Sequence, residues 1–95
     1  MNDKHIQAIL AVLNEGSITG AARKLFVSQP ALSQMIKNAE NNLGSPIFNR
    51  TTDPITLTAA GELYVDAARQ ILTINGNLEK QIEELKKEDF GSIRL

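Results

Sequence analysis

At 95 residues the chain is long enough for one small folded domain with a modest core, and it falls below the length at which a second domain is expected. It has no cysteine, which excludes a disulfide framework and a thiolate zinc site, and its one histidine, His5, has no evident catalytic partner. The formal net charge of -1 argues against a nucleic-acid partner until its distribution is considered: between Thr19 and Arg50, Arg23, Lys24, Lys37 and Arg50 stand against Glu40 alone, whereas beyond Leu57 five basic residues meet seven acidic ones.

In chain order, Ile6, Ile9, Leu10 and Leu13 recur at helical spacing, with Asn2 as N-cap and Gly16 just past the end, which predicts a first helix with one buried stripe. Ser17 caps a second, short helix whose Ile18, Ala21, Ala22 and Leu25 allow close packing. Phe26 and Val27 form a tight turn. Ser28 then caps a third helix, and Pro30 fits its first turn, where a missing N–H costs nothing. On this third helix Leu32, Ile36, Ala39 and Leu43 share one face, while Gln29, Ser33 and Lys37 share another. Gly44 closes it and Pro46 cannot continue it. Ile47 and Phe48, a polar tip from Asn49 to Pro54, and Ile55 to Leu57 predict two short strands around a wing.

Thr58 caps the last helix, with Glu62 in its first turn. Tyr64, Ile71, Leu78 and Leu85 are spaced by seven, with Ile74 and Ile82 between them, a stripe that one small domain cannot cover and that predicts a homodimer. Helical to about Glu88, the segment would span roughly 46 Å. Phe90 to Leu95 is expected to be extended and to begin a further domain. The fold class expected is therefore mainly α: a winged helix-turn-helix over 1–58, with its helix pair at about 18–37, then a dimerisation helix over 59–88, then the start of a C-terminal domain at 89–95.

A helix pair with a tight turn and a capped, polar-faced second helix is a device for entering the major groove of double-stranded DNA. Gln29, Ser33 and Gln34 are the base-edge candidates, because glutamine bonds adenine through both amide groups and serine suits several base edges. Pro30 can touch a thymine methyl. Lys37 suits a phosphate, as do Ser28 and the backbone donors beside it at the helix N-terminus. Arg50 and Thr52 place the wing against an adjacent groove or backbone. Exposed polar side chains are usually just solvated; what sets these apart is their order after a short alanine-rich helix and before a wing with an arginine. Arg23 and Lys24 stay open between phosphate contact and plain surface. No catalytic residue, metal ligand or cofactor site is expected, nor a membrane span, since no apolar run approaches about eighteen residues. A cytoplasmic location follows. The rivals are a winged-helix module that docks a protein, an enzyme and a coiled-coil scaffold. The first lacks the acidic or apolar outer face it needs, the second a nucleophile-base pair, and the third heptads over the first 57 residues.

The ordered set Gly16-Ser17-Ile18, Ala21-Ala22-Arg23-Lys24-Leu25, Val27-Ser28-Gln29-Pro30-Ala31-Leu32-Ser33, Glu40, Leu43-Gly44, Ile47-Phe48, Arg50 and Leu57-Thr58-Ala59-Ala60-Gly61 resembles the LysR-type transcriptional regulators. The resemblance implies a winged helix-turn-helix, a linker helix that pairs subunits, and a C-terminal effector domain that takes a small-molecule inducer. It implies promoter sites with an interrupted dyad, tetramers at full length, and contact with RNA polymerase. Gln29, Pro30 and Ser33 match positions that face bases, and Arg50 matches a wing arginine. Three departures stand out: Gln34 where arginine is frequent, Ala39 where leucine is common, and Asp53-Pro54 on a wing tip that is often basic.

Overall fold

The structure is a computed structural model that describes residues 1–93, with side-chain surroundings up to Glu88. Its order is α1 (Asp3–Glu15), α2 (Ile18–Leu25), α3 (Gln29–Leu43), β1 (Phe48–Asn49), β2 (Thr56–Leu57) and α4 (Ala59–Ile93). Each of the first three helices starts on the cap that local chemistry favours. Asn2 accepts from the Lys4 N–H at 2.8 Å, Ser17 from Gly20 at 3.0 Å and Ser28 from Ala31 at 3.2 Å. Gly16 and Gly44 end α1 and α3 at φ 75° and 80°, the left-handed region where a side chain is costly. Phe26 holds the same conformation at the end of α2, φ 57°, with its ring almost fully exposed. That is an expensive place for an aromatic residue.

The core forms where three helices meet. Ile6, Ile9 and Val12 from α1, Ala21 and Ala22 from α2, and Leu32, Ile36 and Ala39 from α3 are buried, and Ile47, Phe48, Tyr64, Val65 and Ala68 close it from the wing and α4. Apolar burial of this kind is the main favourable term in a domain of this size. β1 and β2 pair antiparallel, Phe48 opposite Leu57 and Asn49 opposite Thr56. The strands are shorter than the apolar pattern suggested, because Ile47 is spent in the core before pairing starts and Ile55 packs against it just outside the ladder.

The wing is tied down at both ends. The Thr58 hydroxyl donates to the Pro46 carbonyl at 2.6 Å and accepts from the Gly61 N–H at 2.9 Å, so one side chain closes the loop and caps α4. At the tip, the Ile55 N–H donates to the Gly16 carbonyl at 3.0 Å, and an added Cβ on Gly16 would lie 3.1 Å from that of Pro54. Gly61 lets α4 pass directly beneath the wing, since a Cβ there would overlap the Ile47 carbonyl oxygen and lie 3.1 Å from Leu57 Cδ2.

Two expectations need correction. Tyr64 is not part of an exposed dimerisation stripe: it is 5% exposed in the domain core, and Ile71 is half-buried against the same core. The first turns of α4 lie across the helical domain, which covers those two members of the repeat. The expected extended tail is helical through Ile93; Phe90 and Ile93 stand three apart, a spacing that also suits a helix. Arg94 and Leu95, the end of that tail, lie outside the described residues.

Candidate nucleic-acid interface

Most of the α3 candidates lie in its first half, with Lys37 further along the helix. Gln29, Pro30, Gln34 and Lys37 are exposed and Ser33 is half-buried. Gln29 and Ser33 are four residues apart and hence on one helical face. The Gln29 side-chain Oε1 accepts from the Thr19 hydroxyl at 3.3 Å, a link from the first turn of α2 that restricts where the glutamine amide can point. Such restriction lowers the entropic cost of a bidentate contact. Thr19 went unremarked in the sequence because its partner lies ten residues on. Gln34 donates to Asn38 Oδ1 at 2.9 Å, and thus leans along the helix toward its C-terminus. The Ser28 hydroxyl accepts the Ala31 N–H, so it serves first as a cap, beside the backbone donors of an uncovered helix start.

The wing candidates are placed by a hydrogen-bonded frame. Thr52 is exposed, and its hydroxyl donates to the Asn49 carbonyl at 3.2 Å and lies 3.0 Å from the Thr56 hydroxyl, so it shapes the wing before it can meet any ligand. Arg50 is half-exposed and its Nη2 lies 3.1 Å from Glu40 Oε1. The other oxygen of Glu40 accepts the Ile47 N–H at 2.7 Å. In the sequence Glu40 is one opposing charge and part of a family pattern; in the structure it is the strut between the last turns of α3 and the wing. Lys24 sits 3.6 Å from Glu15, an exposed pair worth little to stability, while Arg23 is exposed.

His5 is half-buried and lines a cleft with Asn2, Asn42 and Tyr64. The Tyr64 hydroxyl is buried without a hydrogen-bond partner, and burial raises its pKa above the ordinary 10.0. Along α4, Leu63, Leu72, Ile74, Leu78, Ile82 and Leu85 are exposed. Leu63 and Leu72 fall outside the repeat of seven and were not singled out from the sequence. Among the described residues, no helix is long and apolar enough to cross a membrane, and no three His, Cys, Asp or Glu residues cluster as a metal site would need.

A family model described as the bacterial regulatory helix-turn-helix protein, lysR family, matches residues 4–62. The chain belongs to the LysR family. This LysR-family chain is 32% identical over 92 residues to the HTH-type transcriptional regulator MetR of Haemophilus influenzae, covering 97% of the chain but 30% of that relative. Its fold is similar to that of the BenM DNA-binding domain crystallised with catB site 1 DNA, with TM-score 0.78 and 32% identity over 96% of this chain and 95% of that one. It is also similar to the CbnR DNA-binding domain in complex with DNA, with TM-score 0.77 and 32% identity over 85% of this chain and 93% of that one. The expected architecture, a winged helix-turn-helix followed by a long helix, is the one observed.

Proposed function

We propose that this chain reads promoter DNA through α3 and the wing, as one half of a homodimer held by α4, within a transcription regulator of LysR type. The observation that carries the reading is the exposed, capped start of α3, with Gln29 and Ser33 on one face, and Arg50 on the wing beside the last turns of the same helix. Helix starts of this kind place short polar side chains at base edges. The second half of α4 supports the dimer: Ile74, Leu78, Ile82 and Leu85 lie open along a helix of 35 residues. Burying each is worth about 1.5 to 3 kcal/mol. In the full-length protein a C-terminal domain would take a small-molecule inducer, and the assembled regulator, a tetramer, would act on RNA polymerase in the bacterial cytoplasm. The residues proposed at DNA are Ser28, Gln29, Pro30, Ser33, Gln34, Lys37, Arg50 and Thr52, with base reading at the helix start and backbone anchoring further along.

The test compares a duplex enriched from a random library by this chain with a scrambled duplex, across salt concentrations. Gln29→Ala is expected to cost roughly 1 to 3 kcal/mol on the enriched duplex and much less on the scrambled one. Arg50→Ala is expected to weaken both and to reduce the salt slope by about one per subunit. Equal losses on both duplexes for Gln29→Ala would remove sequence reading from that residue. A salt-independent signal would favour the protein-docking module instead.

A further inference from the structure

The C-terminal half of α3 and the base of the wing enclose a shallow cleft of about 570 Å³ that lies apart from the base-reading start of the helix. Lys37, from α3, and Arg50, from the wing, both line it, together with Glu40, Asn41 and Ser45. Two cations from separate elements thus converge on one concavity against a single carboxylate. That carboxylate is already committed. One Glu40 oxygen accepts the Ile47 N–H at 2.7 Å and approaches the Phe48 N–H at 3.5 Å, while the other meets Arg50 Nη2 at 3.1 Å. The Glu40 side chain is mostly buried, 16% exposed, whereas that of Arg50 is 48% exposed. A guanidinium carries five N–H donors in a fixed fork, so the contact with Glu40 leaves donors facing the cleft.

We propose that this cleft is a seat for one backbone phosphate of the bound duplex, held jointly by Lys37 and Arg50, with Glu40 as the positioning residue that aims Arg50. The proposal rests on the DNA-binding reading and deepens it. Lys37 supplies a mobile point charge and Arg50 a planar, directed one, so that each can meet one of the two non-bridging oxygens of a phosphodiester monoanion. The carboxylate does not cancel the seat, because its lone pairs are spent on the backbone of the wing entry and on the arginine it orients. The Ser45 hydroxyl and the Asn41 amide at the edge of the cleft add neutral donors.

The experiment uses a duplex enriched from a random library by the unmodified chain, resynthesised with a neutral methylphosphonate at each phosphate in turn. One phosphate per half-site is expected to be the one at which Lys37→Ala and Arg50→Ala both lose their effect, each having cost about tenfold relative to the unmodified chain on the native duplex. The double variant is expected to reduce the salt slope by about one per subunit, as for one phosphate, rather than two. Sensitivity to two different phosphates, or additive slopes, would overturn the shared seat while leaving DNA binding intact. Failure of the unmodified chain to bind any duplex would overturn the reading beneath it as well. Glu40→Gln keeps an acceptor for the Ile47 N–H but loses the ion pair, and is expected to weaken binding severalfold in the presence of Arg50 and not in the Arg50→Ala background. Tighter binding by Glu40→Gln would show that the carboxylate only repels DNA and would refute its positioning role. If that variant unfolds, the Lys37 and Arg50 arms decide the seat by themselves.

Discussion

The two halves of α4 share one helix and one heptad spacing, yet they live in different surroundings. From Gly61 to Ala68 the helix is built into the domain, with Gly61, Tyr64, Val65 and Ala68 buried. From Leu72 to Glu88 every residue is exposed. A repeat of seven tells which side chains share a face, but not what covers that face. Here the domain's own core covers the first half, and the second is open.

The largest expected effect probes the outer half. Leu78→Asp would remove an apolar contact from each subunit of the proposed dimer and place a carboxylate there, a loss of about 3 to 6 kcal/mol on the dimer. Sedimentation equilibrium at micromolar concentration should then find monomers where the unmodified chain is dimeric. The melting of the winged domain should be nearly unchanged, because Leu78 touches none of it. A dimer indifferent to this substitution would show that the open stripe is not the interface.

The inner half is probed next, at Gly61. Gly61→Ala forces a methyl group into the backbone carbonyl of Ile47 and close to the Leu57 side chain; the side chain can turn aside but the carbonyl cannot, so α4 must lift from the wing. Overpacking of this kind costs about 3 kcal/mol, and each kcal/mol lowers the melting temperature by roughly 4 to 8 °C in a domain of this size. Thermal unfolding followed by circular dichroism checks it. A melting curve like that of the unmodified chain would mean that the wing and α4 are less closely joined than this packing implies.

Much of this was legible in the sequence wherever cause and effect lie within a few residues. The caps Asn2, Ser17, Ser28 and Thr58, the closing Gly16 and Gly44, and the polar face of α3 follow from local spacing and backbone chemistry. What stayed hidden depends on residues brought together from a distance. Glu40 reads as one negative charge until Ile47 and Arg50 fold onto it, and Thr19 is a surface hydroxyl until Gln29 arrives. Tyr64 fits the dimer stripe until α4 is laid across the core.

Tyr64 sharpens the contrast at a smaller scale. Its hydroxyl is buried without a partner, a state that costs about 1 to 3 kcal/mol when no water relieves it. Tyr64→Phe should therefore leave dimerisation alone and either preserve domain stability or raise it by about 1 kcal/mol. The pH dependence has a definite sign. Burial raises the folded-state pKa above 10.0, so the stabilisation is fully present below pH 10.0 and is lost as pH rises above it, where the unfolded chain ionises first. Tyr64 is the only tyrosine, so tyrosinate absorbance reports on it alone. Ionisation at an ordinary pKa in the folded protein, or loss of the dimer in Tyr64→Phe, would return this residue to the exposed stripe.

The smallest expected effect belongs to Gly76, a second glycine of α4. Gly76 lies in the exposed half, and a Cβ built there meets nothing within 4 Å. Within one chain, Gly76→Ala should thus gain helix propensity, about 1 kcal/mol, by removing the backbone freedom that glycine brings to the unfolded state. In the proposed dimer the same methyl group also tests how closely the partner helix approaches. A gain in dimer stability at all concentrations would mean that Gly76 faces water in the assembly. A weaker dimer alongside a stabilised monomer would mean that the helices cross near Gly76 and leave no room for a side chain. Denaturant unfolding at a concentration where the chain is monomeric and at one where it is dimeric separates the two outcomes, because only the second reads the interface. Gly61→Ala offers no such alternatives: its Cβ already has a neighbour within the same chain, which is why two glycines fifteen residues apart on one helix should answer the same substitution with opposite signs.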